Sequence, residues 1–290
     1  MLPTKVASNA SPGKQAEDLI AELGITAPNE IDVDAIAYDR QVEVVYDLLD
    51  GCEATLVGYK NQATATIRPN SIRGRERFSI AHELGHWMLH RGRSFRCRVD
   101  DPGQNLQSSR DVEKQADTFA SHLLMPSALF NPSVAATRRP GFNEIDEIAK
   151  AFDTSRLATA IRLANINTLP VIVACYGKSG RRWHIAAEDV PKRWWLRDTV
   201  EEESFTYDLL HEGKTCSRLG KQSADVWFTN DDAGEYEVLE QCIQSTTDTA
   251  LVLIYLATEE MLYARFDPGV GNRRYTASGS YVPRRPSGRR

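Results

Sequence analysis

The sequence predicts an α+β protein in two parts, helices beside a small sheet and then a second, antiparallel α+β domain. Three observations carry this. Apolar residues recur at helical spacing in several segments before residue 165, short strand-like runs fill 42–67, and strand patterns dominate from Pro170 onward.

The elements follow in order. Residues 13–24 place Ala16, Leu19, Ile20 and Leu23 on one helical face and stop at Gly24. Asp32 to Tyr38 is a second short helix. The runs Val42–Leu49, Ala54–Tyr59 and Ala63–Ile67, punctuated by Asp50-Gly51 and Asn61, predict a small antiparallel sheet. A helix runs from near Arg75 to about His90, with Gly92 just beyond it. Residues 91–107 read as a polar loop. Ser108 or Ser109 caps the next helix, with Asp111 and Glu113 in its first turn. Its apolar stripe is Val112, Ala116, Phe119, Ala120, Leu123 and Leu124, and it ends at Met125-Pro126.

Residues 141–165 have the outline of a helix-turn-helix. Ile145, Ile148 and Ala149 pattern the first helix and Asp153-Thr154-Ser155 the turn. Leu157, Ala160, Ile161, Leu163 and Ala164 pattern the second, which offers only Arg156, Arg162 and Asn165 to a nucleic acid. Packing is therefore favoured over DNA contact. Strands follow at Val171–Tyr176, Arg182–Ala187, Ser204–Leu209, Val226–Thr229, Glu235–Gln244 and Leu251–Leu256. Trp194-Trp195 is either a core patch or a binding wall.

Composition excludes several classes. No run of eighteen apolar residues exists, so no membrane span is expected. The start, Met1 to Ser8, lacks a signal-peptide core. Five scattered cysteines (Cys52, Cys97, Cys175, Cys216 and Cys242) contain no C-x-x-C, which suits free thiols in a reducing cytoplasm. The net charge of −5 hides patterning: residues 1–50 carry three basic and ten acidic side chains, and residues 51–100 carry nine and four. The basic block (Arg68, Arg73, Arg75 and Arg77, then Arg91, Arg93, Arg96 and Arg98) is either a positive rim for an acidic segment or nucleic acid, or a solvated surface.

The chemistry lies in His82-Glu83-x-x-His86. Helical residues four apart share a face, so the two imidazoles can meet one metal ion. Glu83, on the adjoining side, can act as base toward water. An accidental match on an amphipathic helix is the competing reading. Glu113 weakens it, because a catalytic zinc held by two histidines needs one more protein ligand. Glu113 stands beside an apolar stripe, where a carboxylate is costly unless paired or coordinated. Asp117, one turn on, can accept the remaining N–H of a ligating histidine. An oxyanion stabiliser is also needed, and Tyr46, Tyr59, His90 and His122 are all candidates, with a helix-capping role equally open to His90.

Phe78 to His90, followed by Glu113-x-x-Ala116-Asp117-x-Phe119-Ala120-x-x-Leu123-Leu124-Met125-Pro126, resembles the ImmA/IrrE family of metallopeptidases. The resemblance is close over about fifty residues and loose over 10–165. It implies a small gluzincin-like zinc peptidase domain (Zn2+) in the bacterial or phage cytoplasm, with His82, His86 and Glu113 as ligands and Glu83 as base. It also implies a helix-turn-helix repressor protein as the substrate, whose cleavage derepresses genes. The expected domains are 1–130 for the peptidase, 131–168 for the helix-turn-helix-like unit, 169–280 for an accessory and sensory-class α+β domain, and 281–290 for a disordered Arg-rich tail. The alternatives are a non-proteolytic, toxin-antitoxin-type partner-binding regulator, or a DNA-binding protein using the helix-turn-helix-like unit.

Overall fold

A computed structural model of the chain describes residues 10–70, 72–91, 95–97, 107–216 and 218–263; at 95–97 and 107–110 it describes the backbone alone. The predicted tail at 281–290, the start at Met1 to Ser8 and most of the 91–107 loop lie outside these residues. The chain divides into two units, Met1–Leu169 and Pro170–Arg290.

The first unit is built around α3 (Arg73–Leu89), which packs on a four-stranded sheet and against α4 (Gln107–Leu124). Around them lie α1 (Pro12–Glu22), α2 (Val33–Asp39), β1 (Val42–Tyr46), β2 (Ala54–Tyr59), β3 (Gln62–Ile67) and β4 (Phe95–Cys97). Local chemistry sets the helix starts. Ser11 Oγ accepts from Lys14 N, and Asp32 Oδ1 accepts from Asp34 N and Ala35 N. Asn70 Oδ1 accepts from Ile72 N just ahead of α3. Ala54, Leu56, Ala63, Ala65 and Ile67 form the sheet's buried face, and their mostly small side chains let α3 lie close. On α3 the buried counterparts are Ile80, Ala81, Leu84 and Trp87.

This sheet is mixed rather than antiparallel. Its order is β1-β3-β2-β4, with β1 parallel to β3 and β2 antiparallel to both β3 and β4. β2 and β3 form a hairpin whose two-residue turn places Lys60 at φ 54°. β1 then pairs on the far side of β3. Phe95–Cys97, expected within a loop, is the edge strand next to β2. α4 begins by Gln107, so Ser108 and Ser109 are helical residues rather than caps, and Asp111 and Glu113 lie beyond the first turn.

After Pro126 the chain turns into α5 (Ser127–Ala135), then α6 (Phe142–Phe152) and α7 (Arg156–Asn165). Asp153, at φ 51°, closes α6, and Ser155 Oγ caps α7 by accepting from Ala158 N. Leu157 is 40% exposed, off the core face predicted for it. The turn between α6 and α7 packs on α3. A Cβ at Gly74 would fall 2.8 Å from Ser155 N, so glycine permits this approach. Arg73 Nε donates to Asp153 Oδ2 at 2.5 Å. The buried Arg77 donates to Ile31 O and lies 3.7 Å from the same carboxylate. Part of the basic block is thus internal.

The second unit holds a five-stranded antiparallel sheet of order β6-β5-β9-β8-β7. Its strands are β5 (Val171–Gly177), β6 (Gly180–Ala186), β7 (Gly220–Ser223), β8 (Glu237–Thr246) and β9 (Thr249–Leu256). β5, between β6 and β9, is buried along its whole length. Two predicted strands are absent. Ser204–Leu209 is helical, at Phe205–Tyr207 and Asp208–Glu212, because Thr206 N and Oγ1 both donate to the buried Glu240 carboxylate. Val226–Thr229 yields only a 3₁₀ turn, Ala224–Val226, and one bridge between Leu196 and Phe228. Trp227 Nε1 donates to Glu240 as well, which draws this segment inward. Trp194 is buried and Trp195 is exposed. Cys52, Cys175, Cys216 and Cys242 are free thiols; the Cys97 side chain is outside the described atoms. Among the described residues, no helix is long and apolar enough to cross a membrane.

Candidate metal centre

One helical turn separates His82 from His86 on α3, and their Nε2 atoms converge to 3.0 Å. Glu113, on α4, brings Oε2 to 3.1 Å from His82 Nε2 and 3.4 Å from His86 Nε2. The centre therefore depends on how closely the two helices approach. Gly85 sets this: a Cβ there would lie 3.2 Å from Ala116 O and from the Phe119 side chain. Ala116, Phe119, Ala120, Leu123 and Leu124 of α4 are buried, as the stripe predicts.

These distances fit a small divalent cation. Tetrahedral zinc with bonds of 2.0–2.1 Å spaces its ligand atoms about 3.3 Å apart. Three donors at 3.0, 3.1 and 3.4 Å are close to that triangle. Within the described residues, His82, His86 and Glu113 form the cluster of donors able to hold a metal ion. Two of them are imidazoles and one a carboxylate, a set suited to zinc.

The electrostatics favour the ligand forms. Burial pushes the Glu113 carboxyl up, but the hydrogen bonds and charges of His82 and His86 outweigh it and hold the pKa at about 2. Burial pushes the His86 imidazole below its ordinary value, favouring the neutral ring that binds metals. The Glu83 side chain is fully buried beside them. Asp117 Oδ1 lies 2.9 Å from His82 Nδ1, as its position one turn past Glu113 predicts.

The four oxyanion candidates separate. His90 adjoins the centre, with Nδ1 3.4 Å from His86 Nδ1. His122 faces away from it, bound to Glu17 Oε1 at 2.7 Å and to the Arg162 guanidinium. Tyr46 donates to Asp34 Oδ1, and its pKa is raised to about 12 by burial and by Asp34. Tyr59 is 73% exposed near the β2–β3 turn. Gln115, which meets His90 Nε2 at 3.2 Å, was not singled out by the sequence. Its position two residues past Glu113 is the only signal that could have pointed to it.

The basic residues of α7 are engaged within the first unit. Arg162, 1% exposed, donates to Met125 O, Ser127 Oγ and Glu17 Oε1. Arg156 makes a two-pronged pair with Asp146 on α6.

The comparisons bear on the domain and on the fold. Residues 41–164 match the family model described as an IrrE N-terminal-like domain, in a peptidase family. No curated protein matches the chain. A solved structure titled Mycobacterium tuberculosis transcriptional regulator aligns with a TM-score of 0.57 at 15% identity, covering 87% of this chain and 90% of that one. At such identity the likeness is one of fold. The matched span contains every member of the cluster, and this IrrE N-terminal-like domain supports the resemblance to the ImmA/IrrE family.

Proposed function

We propose that the chain is a cytoplasmic zinc-dependent endopeptidase that cuts a helix-turn-helix transcriptional repressor. The observation that carries this is the convergence of His82 Nε2, His86 Nε2 and Glu113 Oε2 from two helices within a peptidase-family domain. His82, His86 and Glu113 would hold the ion, which when bound supplies Lewis acidity for water activation and carbonyl polarisation. Glu83 accepts the proton of the attacking water and returns it to the leaving amine nitrogen. Asp117 accepts from His82 Nδ1–H and so keeps Nε2 free to ligate. With Arg162 buried and Arg156 paired, a DNA-reading role for α7 has little support.

The experiment is to incubate the full chain, zinc-loaded, with the helix-turn-helix repressor encoded beside it, with and without chelator. Two fragments are expected, suppressed by chelator. Glu83→Gln, nearly isosteric, should keep the metal and lower the rate about 10²- to 10⁴-fold. An intact repressor beside verified metal-loaded protein rules out this substrate. Near wild-type cleavage by Glu83→Gln removes Glu83 as the base.

A further inference from the structure

His90 ends α3 one turn beyond His86. Its ring centroid lies 5.5 Å from that of His86, with the planes inclined at 50°. The Nδ1 atoms of the two rings face each other at 3.4 Å. On its other side, His90 Nε2 lies 3.2 Å from Gln115 Oε1, on the same helix as Glu113. The three side chains form a line from His86 to the surface of α4.

Only one direction of donation suits this line if the site holds a metal. A neutral imidazole that ligates through Nε2 carries its proton on Nδ1, and that N–H needs an acceptor. His90 Nδ1 is in reach, and an imidazole accepting at Nδ1 carries its own proton on Nε2. That proton meets Gln115 Oε1, an acceptor. In the opposite direction, His90 Nε2 would set a lone pair against the amide oxygen. His86 would then carry its proton on Nε2, the atom facing His82 and Glu113.

We infer that His90, supported by Gln115, is a positioning residue that fixes His86 as the Nδ1–H tautomer and aims its Nε2 at the metal. The inference rests on the metal-centre reading above. The two histidine ligands are then oriented differently, His82 by the Asp117 carboxylate and His86 by a neutral relay. Helix capping is a separate matter, because the cap bond runs from the His90 backbone N to His86 O at 2.8 Å and is kept in the variants tested below.

The test is zinc affinity by competition with a chromophoric chelator, on the full chain, with the melting temperature of each metal-free variant in parallel. His90→Phe keeps a ring but no acceptor, and should weaken zinc binding about 10- to 100-fold. His90→Asn places an amide oxygen near the former Nδ1 and should bind within about threefold of wild type, the level expected where the acceptor is kept. Gln115→Leu, on the exposed side of α4, should weaken binding without changing metal-free stability. The inference is overturned if His90→Phe and Gln115→Leu bind zinc as tightly as wild type, or if His90→Asn loses as much as His90→Phe. If wild type itself binds no zinc, the metal-centre reading falls first, a result distinct from either of these.

Discussion

His82 Nδ1 lies 2.9 Å from Asp117 Oδ1, while Nε2 of the same ring meets Glu113 Oε2 at 3.1 Å. One helix, α4, thus grips both nitrogens of one imidazole, and the two acids on it have different duties. Glu113→Ala and His82→Ala each remove a donor and should abolish stoichiometric zinc binding. Asp117→Asn keeps an acceptor without its charge and should lower affinity about tenfold or somewhat more. Metal analysis after dialysis distinguishes the three, and full zinc in Glu113→Ala would contradict the assignment.

Arg162 is the second test. It is buried and ties α7 to Glu17 on α1, Met125 at the end of α4 and Ser127 on α5. Removing one member of a fully buried ion pair costs roughly 3–5 kcal/mol. Glu17 keeps 30% of its side-chain exposure and two other partners, so about 2–3 kcal/mol is the better expectation for Arg162→Met. In a chain of this size that lowers the melting temperature by roughly 5–10 °C. An unchanged melting temperature would show that the network contributes nothing net.

Stability should depend on pH through the same network. Burial and the Arg162 charge hold the His122 pKa below its ordinary 6.5, despite Glu17. As pH falls through 6.5 the unfolded ring takes up a proton that the folded ring does not, so stability is lost on acidification. For Glu17, burial raises the pKa, but the Ser127 and His122 bonds outweigh it, and its contribution is lost below about 4.5. The urea midpoint should therefore fall between pH 7 and 5.5, less steeply in His122→Gln. His86 and His184 are shifted in the same direction and leave a residual slope. Equal slopes in the two proteins would dismiss His122 as a contributor.

A fragment ending at Leu169 contains the whole candidate centre. It should melt cooperatively and bind one zinc. If the second unit regulates cleavage, the fragment cuts the repressor at a rate changed by about 5- to 150-fold, the usual range of such coupling. A folded, zinc-loaded fragment with no cleavage at any substrate concentration would place part of the active site beyond residue 169.

The centre was legible because helical periodicity turns spacing into geometry: His82, His86, Glu113 and Asp117 lie where the turns of two helices put them. What was illegible depends on partners distant in the chain. Arg162 reads as a surface cation on an amphipathic helix until Glu17, 145 residues away, is placed beside it. Ser204–Leu209 alternates like a strand, yet the Glu240 carboxylate draws Thr206 into a helical turn. Phe95–Cys97, set among arginines, becomes a strand only through β2. His90 was legible as a position, and its relation to Gln115 needed the packing of α3 on α4.

The parallel pairing of β1 with β3 has a consequence for the order of assembly. β2 and β3 meet across a two-residue turn, a closure that takes about 1–10 μs. β1 precedes both in the chain, and its docking edge on β3 belongs to a strand made after β2. On the ribosome, β1 emerges first and waits with its backbone donors and acceptors facing water until the hairpin exists. Its amides should be the last of the three strands to gain protection in a pulsed hydrogen-exchange refolding experiment. Of β1, β2 and β3, the strand synthesised first is thus the last to pair.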